Sequence, residues 1–226
     1  MKGSILRRHD VLGLAPGTVI LTFDDGPVGE GRTEALLDLL GSHGIRAAFC
    51  VIGRLVERFP EVCRRIHAQG HLLVNHSYRH IHPMALSEAD LLADIAQCDA
   101  VIGEALGIAD YRSAWFRPPG GFWNQRLEQA VFRTGKAVYP VTHFAWDILA
   151  LPGNQWRIAA MIRSDLKRHR AGIYVLHESI YPLTGEANPR TQSCPWMPPV
   201  VEEIIAEAER QGAKFVDPDF SPGFRD

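Results

Sequence analysis

The stretch that decides the fold reads Val19-Ile20-Leu21-Thr22-Phe23-Asp24-Asp25-Gly26-Pro27. Its apolar run predicts a buried β-strand, and the Gly-Pro pair predicts the turn at which that strand stops. Two adjacent carboxylates therefore stand at the C-terminal tip of the strand, where parallel α/β folds gather their active sites. The alternative is a turn in which the two acids only cap a following helix.

Short apolar runs alternate with helical patterns along the chain. The predicted strands span residues 19–23, 47–52, 72–75, 115–117, 137–141, 144–147, 173–177 and 214–216. The predicted helices span 33–43, 61–69, 87–106, 125–134, 155–169 and 199–211. This alternation predicts an α/β fold with a parallel sheet, and seven or eight such units in about 200 residues favour a small, incomplete barrel. An open, doubly wound sheet is the alternative, although no G-x-G-x-x-G follows the first strand.

Glycines and one serine mark the predicted helix ends. The glycines that follow helical patterns are Gly44, Gly70, Gly107, Gly135 and Gly212. Glycine in this position is typical of a C-terminal cap, and Ser87, three residues before Asp90, is typical of an N-terminal cap. The irregular, proline-rich stretch 179–199 is predicted to be a long loop near the mouth of the site.

Bulk composition limits the class of protein. The 226 residues are 46% hydrophobic, so we expect one catalytic domain over residues 1–226 with its core at about 18–216. A net charge of −2 with scattered Lys and Arg argues against a nucleic-acid partner. No apolar run reaches the roughly 18 residues of a membrane span, and the first ten residues lack a signal-peptide pattern, so the expected location is cytoplasmic. The four cysteines lie far apart without C-x-x-C spacing, which excludes a zinc finger and favours free thiols.

Charged and imidazole side chains follow five of the predicted strands. Asp24 and Asp25 end the first strand, His76 follows the third, Arg117 ends the fourth, Asp147 the sixth and His177 the seventh. Because the C-terminal ends of parallel strands meet at one edge of a sheet, we expect these side chains to converge on a single site.

His76 and His80 are a candidate metal pair. Their spacing of four residues would place both imidazoles on one face of a helical turn. With Asp25 as the third ligand, the set leaves a position for water or substrate, as catalytic metal sites do. Two histidines at this spacing often occur without a metal, so the prediction depends on the acidic strand tip as well.

The remaining charged residues suit proton transfer. Neighbours on a strand face opposite ways, so one of the two acids would bind the metal while the other acts as general base. The guanidinium of Arg117 would keep that base ionised and oriented. His177 is the candidate proton donor to the leaving group, with Asp147 orienting its ring. The alternatives are a core histidine at position 177 and an ion pair or cap at position 147.

Four segments of the chain resemble the motifs of a known family. They are Thr22-Phe23-Asp24-Asp25-Gly26-Pro27, His76-Ser77-Tyr78-Arg79-His80, Arg117-Pro118-Pro119-Gly120-Gly121 and Leu176-His177. In order and spacing they are similar to the first, second, third and fifth motifs of the polysaccharide deacetylases. These form carbohydrate esterase family four, which shares the nodulation-protein B homology domain. The resemblance covers about residues 18 to 216.

The resemblance implies a distorted, TIM-barrel-like (β/α) barrel and metal-dependent removal of acetyl groups from an N- or O-acetylated polysaccharide or oligosaccharide. It implies that Asp24 is the general base, that Asp25, His76 and His80 hold a divalent metal, that Arg117 tethers the base, and that His177 is the general acid. The metal is most often zinc, with cobalt as an alternative. A backbone N–H near Gly120 would help to stabilise the oxyanion.

Two departures from the family pattern concern the substrate. The third motif usually has an aromatic residue where this chain has Gly120. The fourth motif usually reads Asp-x-x-Asp-Trp, and here it keeps only its first acid, Asp147. Trp146, just before that acid, is expected to replace the missing Trp at the acetyl pocket. Phe122, Trp123 and Trp196 are further candidates for a sugar cleft, with core packing as the alternative.

Three functions stay open at this stage. The first is deacetylation of a chitin-like chain, peptidoglycan or xylan, which makes an acetylated carbohydrate the expected partner. The second is hydrolysis of a small cyclic amide or formamide on the same fold, favoured by the altered fourth motif and the expected location. The third is a carbohydrate-binding protein that has lost catalysis, against which the intact set of catalytic residues argues.

Overall fold

A computed structural model describes residues 14–15, 17–144, 147, 156–169, 172–186 and 191–219, without the side chains of His169 and Ser193. The strands are β1 (Thr18–Gly26), β2 (Ala48–Val51), β3 (Leu72–Asn75), β4 (Trp115–Phe116), β5 (Ala137–Val138), β6 (His143–Phe144), β7 (Gly172–His177), β8 (Ser179–Ile180), β9 (Gln192–Ser193) and β10 (Lys214–Phe215). The α-helices are α1 (Arg32–Ser42), α2 (Gly53–Arg58), α3 (Pro60–Ala68), α4 (Glu88–Leu106), α5 (Gln125–Arg133), α6 (Trp156–His169) and α7 (Met197–Arg210).

Seven parallel strands form a curled sheet in the order β5-β4-β3-β2-β1-β7-β6. The strands follow one another in chain order around the curl, as in a (β/α) barrel, and β10 adds to the start of β1. Among the described residues, β5 and β6 are not hydrogen-bonded to each other, so the ring is incomplete on that side. The predicted distorted barrel is thus confirmed, and the doubly wound alternative is wrong. Strands β8 and β9 form a separate antiparallel pair.

Strand β1 shows how the core positions the site. Val19, Leu21 and Phe23 belong to the core cluster that packs the sheet against the helices. Ile20, on the opposite face, belongs to the cluster inside the barrel. Because side chains alternate along a strand, Asp24 continues the inward row and comes out at the C-terminal mouth of the barrel.

The ends of the helices follow the predicted caps. Ser87 Oγ accepts a hydrogen bond of 3.1 Å from the Asp90 amide at the start of α4. All five predicted capping glycines have left-handed backbone, with φ between 63° and 78°. Left-handed backbone is strained for residues that carry a Cβ, which explains why glycine stands at these ends.

Several elements differ from the sequence predictions. Strand β6 ends at Phe144, so Asp147 lies three residues beyond the strand that it was predicted to end. Helix α2 has only six residues and ends just before Pro60, so it shows too few turns for a helical period to be visible. The stretch predicted as one long loop contains β8, β9 and the start of α7 at Met197. The four cysteines are free and buried, as predicted. Within the described part of the chain, no helix is long and apolar enough to cross a membrane.

Candidate active site

Two carboxylates enter the barrel mouth from the end of β1. The pairing of β1 with β2 shifts register between Phe23 and Gly26, and Asp25 has left-handed backbone with φ 65°. This irregularity turns Asp25 toward the side on which Asp24 already lies. His76 Nε2 is 4.0 Å from Asp24 Oδ2 and 3.4 Å from Asp25 Oδ1. The expectation that the two acids face opposite ways is therefore wrong, because strand alternation stops at the irregularity.

The two histidines meet across a loop rather than along a helical turn. Residues 76–80 contain no helix, and Ser77 and His80 both have left-handed backbone. The imidazole centroids nevertheless lie 5.0 Å apart. Their proximity was predicted correctly, but the helical reason for it was wrong. Loop geometry, stabilised by buried hydrogen bonds, brings the two rings together instead.

Three acceptor atoms converge on one point. His76 Nδ1 lies 2.8 Å from the Arg117 carbonyl and His80 Nδ1 lies 3.3 Å from the Pro182 carbonyl. Because a carbonyl only accepts hydrogen bonds, each Nδ1 carries a proton, and Nε2 is the atom that each imidazole can offer to a metal. Both Nε2 atoms face Asp25 Oδ1, at 3.4 and 3.1 Å.

This donor set fits a divalent cation. The ligand atoms of Asp25, His76 and His80 all lie within 4.8 Å of one another, and all three residues are buried. Among the described residues, the nearest polar contact of His80 Nε2 is Asp25 Oδ1, which belongs to the same group. Two imidazole nitrogens and one carboxylate are a known ligand set for zinc, and they leave coordination positions free. Burial would raise the pKa of Asp25, but His80 and His76 hold it well below its usual range, so Asp25 is ionised.

Arg117 fixes the second carboxylate. Its Nη1 donates to Asp24 Oδ1 at 2.5 Å and to Thr22 Oγ1 at 2.6 Å, while Nη2 donates to the Pro140 carbonyl at 3.2 Å. Burial would raise the pKa of Asp24, but Arg117 and the nearby imidazoles hold it below its usual value. Asp24 is therefore ionised, with Oδ1 engaged and Oδ2 directed toward the histidines.

His177 and Asp147 lie together at the mouth. His177 Nδ1 is 2.9 Å from Asp147 Oδ1, and the His177 amide donates to Asp147 Oδ2 at 2.5 Å. Burial would lower the pKa of His177, but Asp147 and the two site carboxylates raise it to about 10. The imidazole is thus protonated at neutral pH and oriented by an acid that is itself buried.

One cavity of about 190 Å³ is lined by the site residues Asp24, Asp25, His76, His80, Arg117 and His177. Its walls are mostly apolar and include Val141, Phe144 and Leu183. Gly120 lines it as well, with left-handed backbone at φ 70°, and a Cβ there would lie 3.0 Å from Leu183 Cδ1. Leu183 therefore occupies the space beside the position where the family usually has an aromatic residue. The cavity is of a size and polarity suited to a short acyl group.

The candidate sugar-cleft aromatics differ in placement. Trp123 is buried in the core with Leu127 and Val131, so packing explains it. Trp196 is partly buried against the main core cluster. Phe122 is exposed and packs against His82 with ring centroids 4.5 Å apart and the ring planes tilted by 51°. Trp146 lies outside the described residues.

Sequence reasoning missed the residues that shape the histidine loop. Asp94 of α4 is buried, and its carboxylate accepts from the amides of Tyr78 at 2.9 Å and Arg79 at 3.3 Å and from Arg79 Nε at 2.6 Å. The available signal was an acid on the apolar face of a helix, between Leu91 and Cys98. Such a position predicts a buried charge with a structural partner.

A buried ion pair between Asp99 and Lys136 stabilises the C-terminal end of β3 through Asn75. Asn75 Nδ2 donates to Asp99 Oδ1 at 2.8 Å, and Asn75 Oδ1 accepts from the Ser77 amide at 3.0 Å. Lys136 Nζ, fully buried, lies 2.5 Å from the other oxygen of Asp99. This network fixes the residue that precedes His76.

Two further residues missed by the sequence reasoning hold the acids. Thr22 shares the Arg117 guanidinium with Asp24 and donates to the Tyr174 carbonyl at 3.0 Å. The Tyr181 amide donates to Asp25 Oδ2 at 2.8 Å, and its ring edge packs on His80. Asp25 therefore has one oxygen engaged by the backbone and the other directed at the two imidazoles.

The comparison with family models now decides the family. The model described as "Polysaccharide deacetylase" matches residues 13–139, more than half of the chain. The chain belongs to the polysaccharide deacetylase family. The match contains the first three motifs and ends before Asp147 and His177, so the second half of the site lies beyond it.

Curated relatives in this family include deacetylases of two kinds of glycan. The chain is 28% identical over 180 residues to "Peptidoglycan-N-acetylmuramic acid deacetylase PdaA" of Bacillus subtilis (strain 168), covering 77% of this chain and 66% of that protein. It thus spans slightly less than two thirds of the length of PdaA. It is 32% identical over 167 residues to the "Chitooligosaccharide deacetylase" of Bradyrhizobium sp. (strain ANU 289), covering 73% and 72%.

Solved structures support the fold. The chitin deacetylase from the fungal pathogen Colletotrichum lindemuthianum superposes with a TM-score of 0.74 over 89% of this chain and 85% of that chain. Sequence identity is 22%, so this likeness concerns the fold alone. A fold shared by deacetylases agrees with the distorted barrel described above.

Proposed function

We propose that this protein is a metal-dependent hydrolase that removes acetyl groups from N-acetylated glycans. The observation that carries the proposal is the placement of Asp24 between Arg117 and the Asp25–His76–His80 group. One carboxylate is thereby assigned to proton transfer and the other to metal binding. Across the same cavity stands a protonated imidazole, His177, which makes acid–base catalysis available on both sides of a bound acetyl group.

Asp25, His76 and His80 are the residues that would hold the metal. Their donor set suits zinc, and cobalt is the alternative because the same ligands accept both ions. A divalent ion held there supplies Lewis-acid chemistry, which polarises the acetyl carbonyl and lowers the pKa of water. The convergence of both Nε2 atoms on Asp25 Oδ1, at 3.4 and 3.1 Å, supports this assignment.

Asp24 is proposed to act as the general base. Its Oδ1 is engaged by Arg117, which leaves Oδ2 to accept a proton from the attacking water. The low pKa keeps Asp24 ionised over the neutral range. Arg117 fixes the orientation of the carboxylate, so it is a positioning residue.

His177 is proposed to donate a proton to the leaving nitrogen. Its raised pKa keeps the imidazole protonated, and Asp147 holds its Nδ1 so that Nε2 is the atom available to the substrate. Asp147 thus serves His177 although the rest of the fourth motif is absent. A backbone N–H near Gly120 is proposed to stabilise the developing oxyanion, since Gly120 lines the same cavity.

The proposed substrates are glycans of N-acetylated glucosamine type. Support comes from the names of the relatives, which act on peptidoglycan N-acetylmuramic acid and on chitooligosaccharides. The small apolar cavity agrees with the methyl group of an acetyl. Acetylated xylan is retained as an untested substrate.

The test is acetate release by the zinc-loaded protein from a tetramer of N-acetylglucosamine, from peptidoglycan glycan strands and from acetylated xylan. We expect release from at least one N-acetylated glycan and none from the same sample treated with a chelator. Release only from xylan would indicate that the protein hydrolyses acetyl esters rather than acetamides. Turnover of a monomeric amide without any glycan activity would favour the amidohydrolase alternative, and glycan binding without acetate release would favour a binding protein.

A further inference from the structure

A second and larger cleft adjoins the catalytic cavity. It has a volume of about 570 Å³ and lies between the turn after β1 and helix α2. Three arginines line it, namely Arg32, Arg54 and Arg58. We call it the basic cleft, and its volume falls in the range of sites that bind small ligands.

Tyr181 joins the basic cleft to the catalytic site. It lines both cavities, its amide holds Asp25 Oδ2, and its ring edge packs on His80. Burial raises the pKa of Tyr181 above its usual value, and Arg54 and Arg58 act in the opposite direction, so both guanidiniums lie near the phenol. Because the two cavities share Tyr181 as a wall, a glycan bound at the catalytic cavity can extend toward the basic cleft.

Within the described part of the chain, two of the three arginines are not paired with an acid, although Glu30 and Glu57 also line the cleft. Arg54 Nη1 donates at 2.6 Å to the carbonyls of Gly185 and Glu186, which are neutral acceptors. Arg58 lies over the Phe59 ring, 5.2 Å from its centroid. Among the described residues, neither guanidinium forms a salt bridge with a carboxylate. Arg32, by contrast, is paired with Glu30 at 2.9 Å.

The two unpaired arginines share one side of α2. Arg54 and Arg58 are four residues apart on this helix, so their side chains project from the same face. The one acid that α2 contributes to the cleft, Glu57, accepts a hydrogen bond from the Tyr78 hydroxyl at 2.8 Å. Guanidinium groups bind carboxylates through paired N–H donors, which makes a carboxylate the ligand chemistry that matches this face.

We propose that the basic cleft binds a carboxylate carried by the sugar next to the one being deacetylated. The protein would then select an acidic glycan, such as one with a lactyl ether on its glucosamine units, over a neutral chitin-like chain. This inference rests on the proposed deacetylase function and adds a specificity site to it. Arg58 is its main charged contact, because Arg54 already holds the backbone of residues 185 and 186.

The test compares one glycan in two charge states. Peptide-free tetrasaccharides of alternating N-acetylglucosamine and N-acetylmuramic acid are prepared with free lactyl carboxylates and as methyl esters, and kcat/KM for acetate release is measured on both. We expect the wild-type protein to prefer the free acid by about tenfold, the effect of one charge-assisted contact. Arg58→Gln should bring this ratio close to one, Arg58→Lys should retain part of it, and added salt should reduce it.

Arg168→Gln is the matched control, because Arg168 is an exposed arginine on α6 outside the cleft. It should keep the wild-type ratio. Equal wild-type activity on acid and ester, or an unchanged ratio in Arg58→Gln, would overturn the proposal. If neither tetrasaccharide nor the N-acetylglucosamine tetramer releases acetate, the deacetylase function fails instead. Calorimetric binding of acid and ester to the protein then still tests the cleft, with tighter binding of the acid as the supporting result and equal binding as the contrary one.

Discussion

The two sides of the catalytic cavity are built differently. On the side formed by the ends of β1, β3 and β4, each functional side chain has at least one hydrogen bond to the protein, and all of these side chains lie in the range that the family model matches. On the side of β7, His177 is more exposed and depends on a single acid, Asp147, beyond the matched range. The side that holds the proposed metal ligands and base is therefore fixed by the core of the fold. The side of the proposed acid is completed by one residue, Asp147, from a segment that departs from the family pattern.

The largest expected effect comes from replacing the proposed base. Asp24→Asn keeps the shape of the side chain but removes its charge, so we expect kcat to fall about a thousandfold. Metal content should stay at the wild-type level, since Asp25, His76 and His80 are untouched. Acetate release and metal analysis on the same sample check both statements. Activity near the wild-type value would remove Asp24 from the role of base.

The buried ion pair between Lys136 and Asp99, next to the end of β3, is expected to stabilise the fold. Lys136→Met leaves Asp99 as an unpaired buried charge, so the free energy of unfolding should fall by about 3 kcal/mol. Denaturant unfolding of the metal-free protein measures the change. Lys167→Met, at an exposed position of α6, is the control and should change stability by less than about 0.5 kcal/mol. Equal stability of the two variants would mean that the buried pair does not support this side of the site.

The next prediction concerns metal binding by Asp25, His76 and His80. His80→Ala removes one of three ligands, and we expect zinc affinity to fall by about a hundredfold, since even outer contacts to such ligands are worth 10–100-fold. Competition with a chromophoric chelator gives the affinity. His67→Ala, an exposed histidine on α3, serves as the control and should bind zinc like the wild type. Unchanged affinity in His80→Ala would exclude it from the ligand set.

A smaller effect is expected on the acid side. Asp147 raises the pKa of His177, so in Asp147→Asn that pKa falls and the imidazole loses its proton at lower pH. The alkaline limb of the pH profile of kcat/KM should therefore move to lower pH, with about a tenfold loss of activity at neutral pH. A loss of activity at every pH, without a shift of the alkaline limb, would show that Asp147 acts on structure rather than on the protonation of His177.

Much of this organisation was predictable from the sequence, for physical reasons. In a parallel sheet the C-terminal ends of the strands meet at one edge, so the polar residues at those ends, Asp24 and Asp25 among them, were predicted to lie close together. The structure brings them together around one cavity. The irregularity at Asp25 and the left-handed backbone at Ser77 and His80 were not predictable, because non-glycine residues adopt that backbone only when surrounding contacts hold them there.

The supporting contacts were also beyond sequence reasoning. Asp94 and Lys136 act through partners that lie 15 or more positions away along the chain, and no local pattern records such pairs. The pairing of His177 with Asp147 was predicted from the residue types, but the altered fourth motif did not establish that Asp147 is the partner. Its geometry depends on where residue 147 lies in space, which strand periodicity does not specify.

We propose that deacetylation requires one metal ion bound by Asp25, His76 and His80. Titration of the chelator-treated protein with zinc, while acetate release from an N-acetylated glycan is followed, tests this requirement. We expect no release at the start and a linear rise that ends at about one zinc ion per chain, as for one three-ligand site. Full activity without metal, or none after one zinc ion has bound, would show that the bound metal is not what deacetylation depends on.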